Sequence, residues 1–216
     1  TRDIGHQIEF YDLHKPQFIP EVEVTKYDKS NRVVGFEYLT NMLSSDFEQD
    51  RYWVNECLNS LESKNLLNDL YLKRLNDEAK ELWNISTNMG LRMTSYYNTM
   101  KFIIELTWDK GDSLVGPARG SATGFLSCYL LGITQLDPIQ WNLPHWRHLT
   151  ETRPELPDID FDTQATRRKQ ILQAVKDVFG RNNVLNIATF GTEGSKSSCL
   201  TACRGYRSEE FPDGID

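Results

Sequence analysis

Three carboxylates alternate with apolar residues in Leu156-Pro157-Asp158-Ile159-Asp160-Phe161-Asp162. In a strand, alternate side chains share one face at a rise of about 3.3 Å per residue. Asp158, Asp160 and Asp162 then form a carboxylate row, with Ile159 and Phe161 packed beneath it. Fully charged oxygen ligands with no His or Cys among them suit Mg²⁺ or Mn²⁺ rather than zinc or copper. A calcium loop of the D-x-D-x-D kind needs Gly at its sixth position and Glu at its twelfth, where this chain has Thr163 and Lys169. The competing reading is structural: Asp162 or Thr163 caps the next helix and the other two acids line a wet strand face. The surrounding residues must decide.

Upstream, Gly116-Pro117-Ala118-Arg119-Gly120-Ser121-Ala122-Thr123-Gly124 is a glycine-rich turn feeding the apolar run from Phe125 to Leu131. Unsatisfied N–H groups at such a helix start, with the Ser121 hydroxyl and the Arg119 guanidinium, make an anion site. No Gly-Lys-Ser/Thr follows, so it is not a Walker loop. A plain turn with an N-cap is the alternative. Between this loop and the acidic row lie His145, Arg147, His148 and Arg153. Arginine suits phosphate because its planar fork binds bidentately. The two histidines lack a carboxylate or Cys at matching spacing and read as loop histidines. After the row, Arg167-Arg168-Lys169 sits on the first turn of an amphipathic helix through Ile171, Val175 and Val178. Cations there oppose the helix dipole, so they are either solvated or close to something anionic.

The elements that must carry these groups are mostly helical. Residues Thr1 to Thr40 show Pro16, Pro20 and alternating runs such as Val22-Glu23-Val24, which predict a loop with short strands. Ser45-Asp46-Phe47-Glu48 is a capping-box pattern opening a helix to about Lys64, with Phe47, Val54, Leu58 and Leu61 on its apolar face. Leu72, Leu75, Ala79 and Leu82 predict a second helix, and Tyr97, Met100, Ile104 and Trp108 a third, with Met89-Gly90 between them. Tyr96, Tyr97 and Trp108 read as core aromatics rather than base-stacking platforms. Val184 to Phe190 predicts a strand, and Ser195 to Cys203 a small-residue helix carrying Lys196.

Of 216 residues, 39% are hydrophobic and 25% charged, an ordinary globular balance able to bury a core in one or two domains. No apolar run reaches membrane-spanning length and no signal-peptide pattern opens the chain, so a cytoplasmic location is expected. Cys57, Cys128, Cys199 and Cys203 contain no CxxC pair and read as buried free thiols. A net charge of −7 argues at face value against a nucleic-acid partner. The distribution softens this: Arg2 to Lys110 holds 13 Lys/Arg against 18 Asp/Glu, but Gly116 to Arg204 holds 10 against 8.

Four motifs in order, Gly116-Pro117-Ala118-Arg119-Gly120-Ser121, Tyr129-Leu130-Leu131-Gly132-Ile133-Thr134 with Asp137-Pro138, Pro157-Asp158-Ile159-Asp160, and Thr189-Phe190-Gly191-Thr192, give the chain a resemblance to a known family. It resembles the bacterial C-family replicative DNA polymerases, the alpha subunit of DNA polymerase III, closely from about Tyr96 to Arg204. The resemblance implies an α/β (α+β) fold, a helical N-terminal part followed by a polymerase-beta-like nucleotidyltransferase palm segment. It implies that Asp158 and Asp160 hold two Mg²⁺ ions and are the catalytic acids, Asp162 not being a usual ligand. It further implies that Gly120 and Ser121 hold the incoming dNTP, with Arg119, Arg147, Arg153 and Lys196 on basic positions around its phosphates. Ala118 stands where the family usually has Gly, and its Cβ predicts against a positive φ in this turn. Glu193-Gly194 replaces a more apolar pair.

The expected organisation is a leading segment with short strands at 1–45, a helical segment at 46–110, a palm core at 111–204 and the start of a link toward a thumb at 205–216. The expected function is part of a template-directed DNA polymerase, with primer-template DNA, dNTP and the remaining polymerase domains as partners. A sliding clamp and other replisome subunits are possible partners through regions outside this chain, and no membrane is involved. The rivals are a template-independent nucleotidyltransferase on the same palm and a non-catalytic scaffold derived from it. The family pattern takes a third aspartate from a later strand. Glu209, Glu210, Asp213 and Asp216 lie in a Pro- and Gly-marked loop, so this chain is expected to be a piece of a larger enzyme and inert alone.

Overall fold

A computed structural model describes residues 18–153, 156–186 and 191–206. They fall into two compact units, one reaching to Val178 and the other beginning at Phe179, a boundary inside the stretch 111–204. The first unit contains α1 (Glu37–Leu43), α2 (Glu48–Ser63), α3 (Asp69–Met89), α4 (Met93–Asp109), α5 (Leu126–Leu130) and nearly all of α6 (Arg168–Phe179). Short 3₁₀ turns occupy Ser121–Gly124, His145–Arg147 and Ala165–Arg167. No described helix is long and apolar enough to cross a membrane.

The helical periods predict most of the buried faces, but Trp108 of α4, expected in the core, is exposed at the last turn of its helix. Val54, Leu58 and Leu61 of α2, Leu75, Ala79 and Leu82 of α3, and Tyr97 and Ile104 of α4 are all buried in one core with Trp53, Leu39 and Phe125. Gly90, with φ 66°, ends α3 in the left-handed region where a side chain would be strained. Phe47 departs from the expected face: it is half exposed, with the Arg92 guanidinium 3.5 Å from its ring centroid. The Ser45 hydroxyl donates to Asp50 Oδ2 at 2.7 Å and accepts from the Phe47 N–H at 3.2 Å, so the capping serine works through Asp50 rather than Glu48.

Helix α3 organises the rest by capping other elements through space. Asn76 Oδ1 accepts from the N–H groups of Tyr38 and Leu39 at the start of α1, at 3.0 and 3.3 Å. Glu78 does the same for α5, and Ser86 Oγ accepts from the Met93 N–H that opens α4. The Tyr71 hydroxyl donates to Asp137 at 2.5 Å, and Asp137 in turn accepts from the N–H groups of Ile139 and Gln140.

The described part of the leading segment, residues 18–45, shows no strand, and residues 1–17 of it lie outside the described residues. Residues 18–36 are irregular, and α1 lies where no helix is predicted. Among the described residues the segment pairs with no strand; helix side chains satisfy some of its carbonyls instead, Gln49 at Val22, Arg51 at Tyr27 and Thr99 at Pro20. Among the described residues, β pairing is confined to the isolated bridges Val115–Thr163 and Thr150–Arg153, so the fold is predominantly helical and shows no sheet there.

In the second unit, α7 (Ser195–Gly205) follows Gly194, and the hydroxyls of Ser197 and Ser198 donate back to the carbonyls of Gly194 and Glu193. Residues 184–186 are irregular, while 187–190, the rest of the expected strand, lie outside the described residues, as do residues 207–216. Cys57 and Cys128 are buried free thiols, but Cys199 is exposed and Cys203 half-buried, because α7 buries no face within its unit.

Candidate active site

The acidic row keeps its alternation without a sheet. Asp158, Asp160 and Asp162 are exposed, while Leu156, Ile159 and Phe161 pack against the core, as an extended segment lying on a helical surface requires. Two bonds pin it. The Tyr96 hydroxyl donates to the Pro157 carbonyl at 2.5 Å, and the Gly116 N–H donates to the Asp162 carbonyl at 2.8 Å. Burial, then the charge of Asp158, pushes the Tyr96 phenol up to about 12, so it stays a donor at neutral pH.

The glycine-rich turn lies directly against this row. A Cβ on Gly120 would stand 3.3 Å from Asp160 Oδ2, and one on Gly116 3.0 Å from Asp162 Cβ. Gly120 also has φ 65°, so this position needs glycine for both space and conformation. Positive φ falls on Gly120 and not on Ala118, and the alanine is accommodated without strain.

The helix that follows is not a free anion cradle. The N–H groups of Leu126 and Ser127 donate to the two oxygens of Glu78, at 2.6 and 2.9 Å. Glu78 is fully buried and paired with Arg74, whose Nη2 also donates to the carbonyls of Gly124 and Leu143 at 2.6 and 2.8 Å. The dipole of α5 is thus answered from inside the protein. A ligand on this loop is left the Ser121 hydroxyl and the arginine side chains.

Ser121, Trp146, Arg147, His148, Arg153 and Asp158 line a cavity of about 310 Å³. Ser121 and Arg147 also border a neighbouring cavity of about 240 Å³ that reaches Gly120. Expected phosphate-binding residues and one expected catalytic acid therefore meet around one space. Arg119 stands apart, with its Nη1 2.9 Å from Asp162 Oδ1. Arg167, of the cationic first turn, pairs with Asp112 at 2.6 Å, which supplies its nearby anion. Lys196 is exposed on α7 in the second unit.

Asp158 and Asp160 have no ion pair or hydrogen bond among the described residues, whereas Asp162 is committed to Arg119. Two free carboxylates on one face fit a hard divalent cation. Among the described residues no three His, Cys, Asp or Glu side chains are placed to hold one metal ion together. Such a cation would therefore draw its remaining ligands from water, a nucleotide or other residues.

Several contributors escape a reading of spacing alone. His148 is no loop histidine: it is buried against the stacked pair Phe125 and Tyr97, with Nδ1 3.1 Å from Ser121 Oγ. Burial lowers its pKa to about 4, leaving the imidazole neutral. Tyr96, Arg74 and Glu78 act across more than 45 residues of sequence, where no local period reports them.

Residues 37–212 match the family described as the bacterial DNA polymerase III alpha NTPase domain. The chain is 45% identical over 219 residues to the probable DNA polymerase YorL of Bacillus subtilis (strain 168), covering 95% of this chain and 17% of that protein. The DNA-directed DNA polymerase of Bacillus phage SPbeta gives the same figures. The DNA polymerase III subunit alpha of Staphylococcus aureus (strain COL) is 32% identical over 211 residues, covering 88% of this chain and 18% of the relative. The chain spans less than a fifth of the length of these relatives. A glycine-serine turn set against a paired-aspartate segment, within a match that runs through most of the helical core, makes this chain a member of the bacterial DNA polymerase III alpha family.

Proposed function

We propose that this chain supplies the nucleotide- and metal-binding part of a template-directed DNA polymerase that adds dNTPs to a primer 3′-hydroxyl. The observation that carries this reading is the single cavity joining Ser121, Arg147 and Arg153 to Asp158, with Gly120 packed against Asp160. Cations and a hydroxyl beside free carboxylates are the complement of a triphosphate that arrives with divalent ions. Asp158 and Asp160 hold the ions; a pair of Mg²⁺, when bound, lowers the pKa of the attacking hydroxyl and stabilises the leaving oxygens. Arg147 and Arg153 bind phosphate oxygens and orient the α-phosphate for in-line attack, with pyrophosphate leaving. Ser121 donates to a phosphate oxygen, and Gly120, lacking a Cβ, lets the triphosphate and Asp160 approach each other. The Leu156–Asp162 segment is read as one strand of a polymerase-beta-like palm. Template pairing supplies sequence choice, so the partners are primer-template DNA, dNTP and the other domains of the polymerase.

Primer extension by the whole polymerase containing this chain tests the reading. Asp158→Asn is expected to abolish template-directed synthesis while leaving the protein folded. Undiminished synthesis would overturn it, and extension that ignores the template would favour a template-independent nucleotidyltransferase.

A further inference from the structure

The Ser121 hydroxyl has one hydrogen-bond partner among the described residues, Nδ1 of His148. His148 is 7% exposed, its ring 5.0 Å from that of Phe125 and 6.0 Å from that of Tyr97. Its other nitrogen, Nε2, is buried with no partner among the described residues. A neutral imidazole carries one proton, so two arrangements exist. With the proton on Nε2, that buried N–H is orphaned and Nδ1 consumes the Ser121 proton as acceptor. With the proton on Nδ1, only an acceptor lone pair is left unmet, and Nδ1–H donates to Ser121 Oγ. Orphaned buried N–H groups are rarer than under-satisfied acceptors, so the second arrangement is favoured. In it the serine proton is free and points away from the ring.

We infer that His148 is a positioning residue that holds Ser121 as a hydrogen-bond donor toward the anionic ligand of the cavity. The inference rests on the reading of that ligand as a nucleotide triphosphate. Ser121 begins its 3₁₀ turn immediately after the positive-φ Gly120, so its backbone is fixed and the imidazole fixes its hydroxyl. The burial that keeps the ring neutral also keeps it from competing with Arg147 as a second cation. The ring's packing, tilted at 59° against Phe125 and edge-on at 72° to Tyr97, makes the donor rigid, because His148 cannot turn without displacing one of them.

Steady-state extension by the whole polymerase is the test, with kcat and the KM for dNTP measured separately. His148→Phe keeps a ring against Phe125 and Tyr97 and removes the donor; it is expected to raise KM about fivefold with kcat changed less than about twofold. His148→Leu is measured beside it in case the larger ring is not accommodated, and thermal melts establish that each variant is folded. His148→Asn places an amide N–H near the position of Nδ1 and is expected to restore most of the KM. Ser121→Ala is expected to match His148→Phe, and the double variant to lose no more than either alone. A wild-type KM in folded His148→Phe or His148→Leu, equal losses in His148→Asn, or additive losses in the double variant would each overturn the inference. The polymerase reading is judged by Asp158→Asn in the same assay. Abolished synthesis there together with a wild-type KM in His148→Phe would sink the positioning role alone.

Discussion

Arg119 lies with its Nη1 2.9 Å from Oδ1 of Asp162, so one acid of the row is neutralised by the protein while Asp158 and Asp160 are not. By residue type and spacing alone the three carboxylates look equivalent, and this pair separates them. In the whole polymerase, Asp158→Asn and Asp160→Asn are expected to abolish turnover, and to stabilise the metal-free fold slightly by removing like-charge repulsion. Asp162→Asn is expected to lower activity by less than about tenfold, since it only releases an exposed guanidinium. Comparable losses from all three would make Asp162 a ligand as well.

Arg147 is exposed, forms no ion pair among the described residues, and borders both cavities next to Ser121. A cation so placed has little structural work to do. Arg147→Ala is expected to raise the KM for dNTP about tenfold and to shift the melting temperature by less than about 2 °C. A large fall in melting temperature with unchanged kinetics would refute its role as a phosphate ligand.

His148 gives the fold a pH dependence of definite sign. Its folded pKa of about 4 lies below the unfolded value near 6.5. Between these values the unfolded chain binds a proton that the folded chain refuses, so stability rises with pH across the window and is lost as pH falls. His145, also lowered by burial first, acts in the same direction. Glu78 opposes them lower down: burial raises its folded pKa, so protonation near the carboxylate range favours the folded state. Urea melts at pH 7 and pH 5.5 are expected to differ by about 1 kcal/mol from His148. His148→Phe is expected to remove most of that difference, and an unchanged difference would contradict the burial of this ring.

What could be read from the sequence follows the range of the interactions. The α2, α3 and α4 faces are legible because Val54, Leu58 and Leu61, then Leu75, Ala79 and Leu82, then Tyr97 and Ile104 recur at helical spacing within each element. The acidic row is legible because its alternation answers to the core beneath Ile159 and Phe161, with no need of a partner strand. Helix α1 is not legible, since Asn76 caps it from 37 residues away and nothing at Phe36 marks a start. The anion cradle at α5 misleads for the same reason, the answering charge being Glu78, 48 residues before Leu126. His148 reads as a loop residue because Tyr97, Phe125 and Ser121, which bury and bond it, are distant in sequence.

The purified 216-residue chain is expected to bind Mg²⁺ weakly and to leave a primed template unextended. Two carboxylates on one face leave each ion largely water-bound, and a fixed separation of about 4 Å needs more oxygens than Asp158 and Asp160 provide. Isothermal titration with Mg²⁺ and dNTP together should show metal-dependent binding that Asp158→Asn weakens. Robust extension abolished by Asp158→Asn would mean that Glu209, Glu210, Asp213 or Asp216, outside the described residues, completes the site.

The Arg74–Glu78 pair is expected to be the most sensitive point of the first unit. Glu78 is fully buried, and burial raises its pKa even though Arg74 and the N–H groups of Ser127 and Leu126 favour the charged form. Removing the cation leaves a carboxylate in the core with only two backbone donors. Arg74→Met should therefore cost about 3–5 kcal/mol. Arg74→Lys is expected to recover little of this, because the guanidinium fork reaches Glu78, Gly124 and Leu143 at once and an ammonium on a flexible stem does not. Glu78→Gln keeps one acceptor but turns an amide N–H toward the start of α5, and should cost about 1–3 kcal/mol. Both changes release the segment between Ser121 and Leu143, so the surviving folded enzyme should also show a raised KM for dNTP, a loss that stability alone does not produce. Calorimetry of the chain and kinetics of the whole polymerase at a temperature well below the transition check the two halves separately. If Arg74→Met melts within about 2 °C of the wild-type chain, the buried pair does not hold the glycine-serine turn in place.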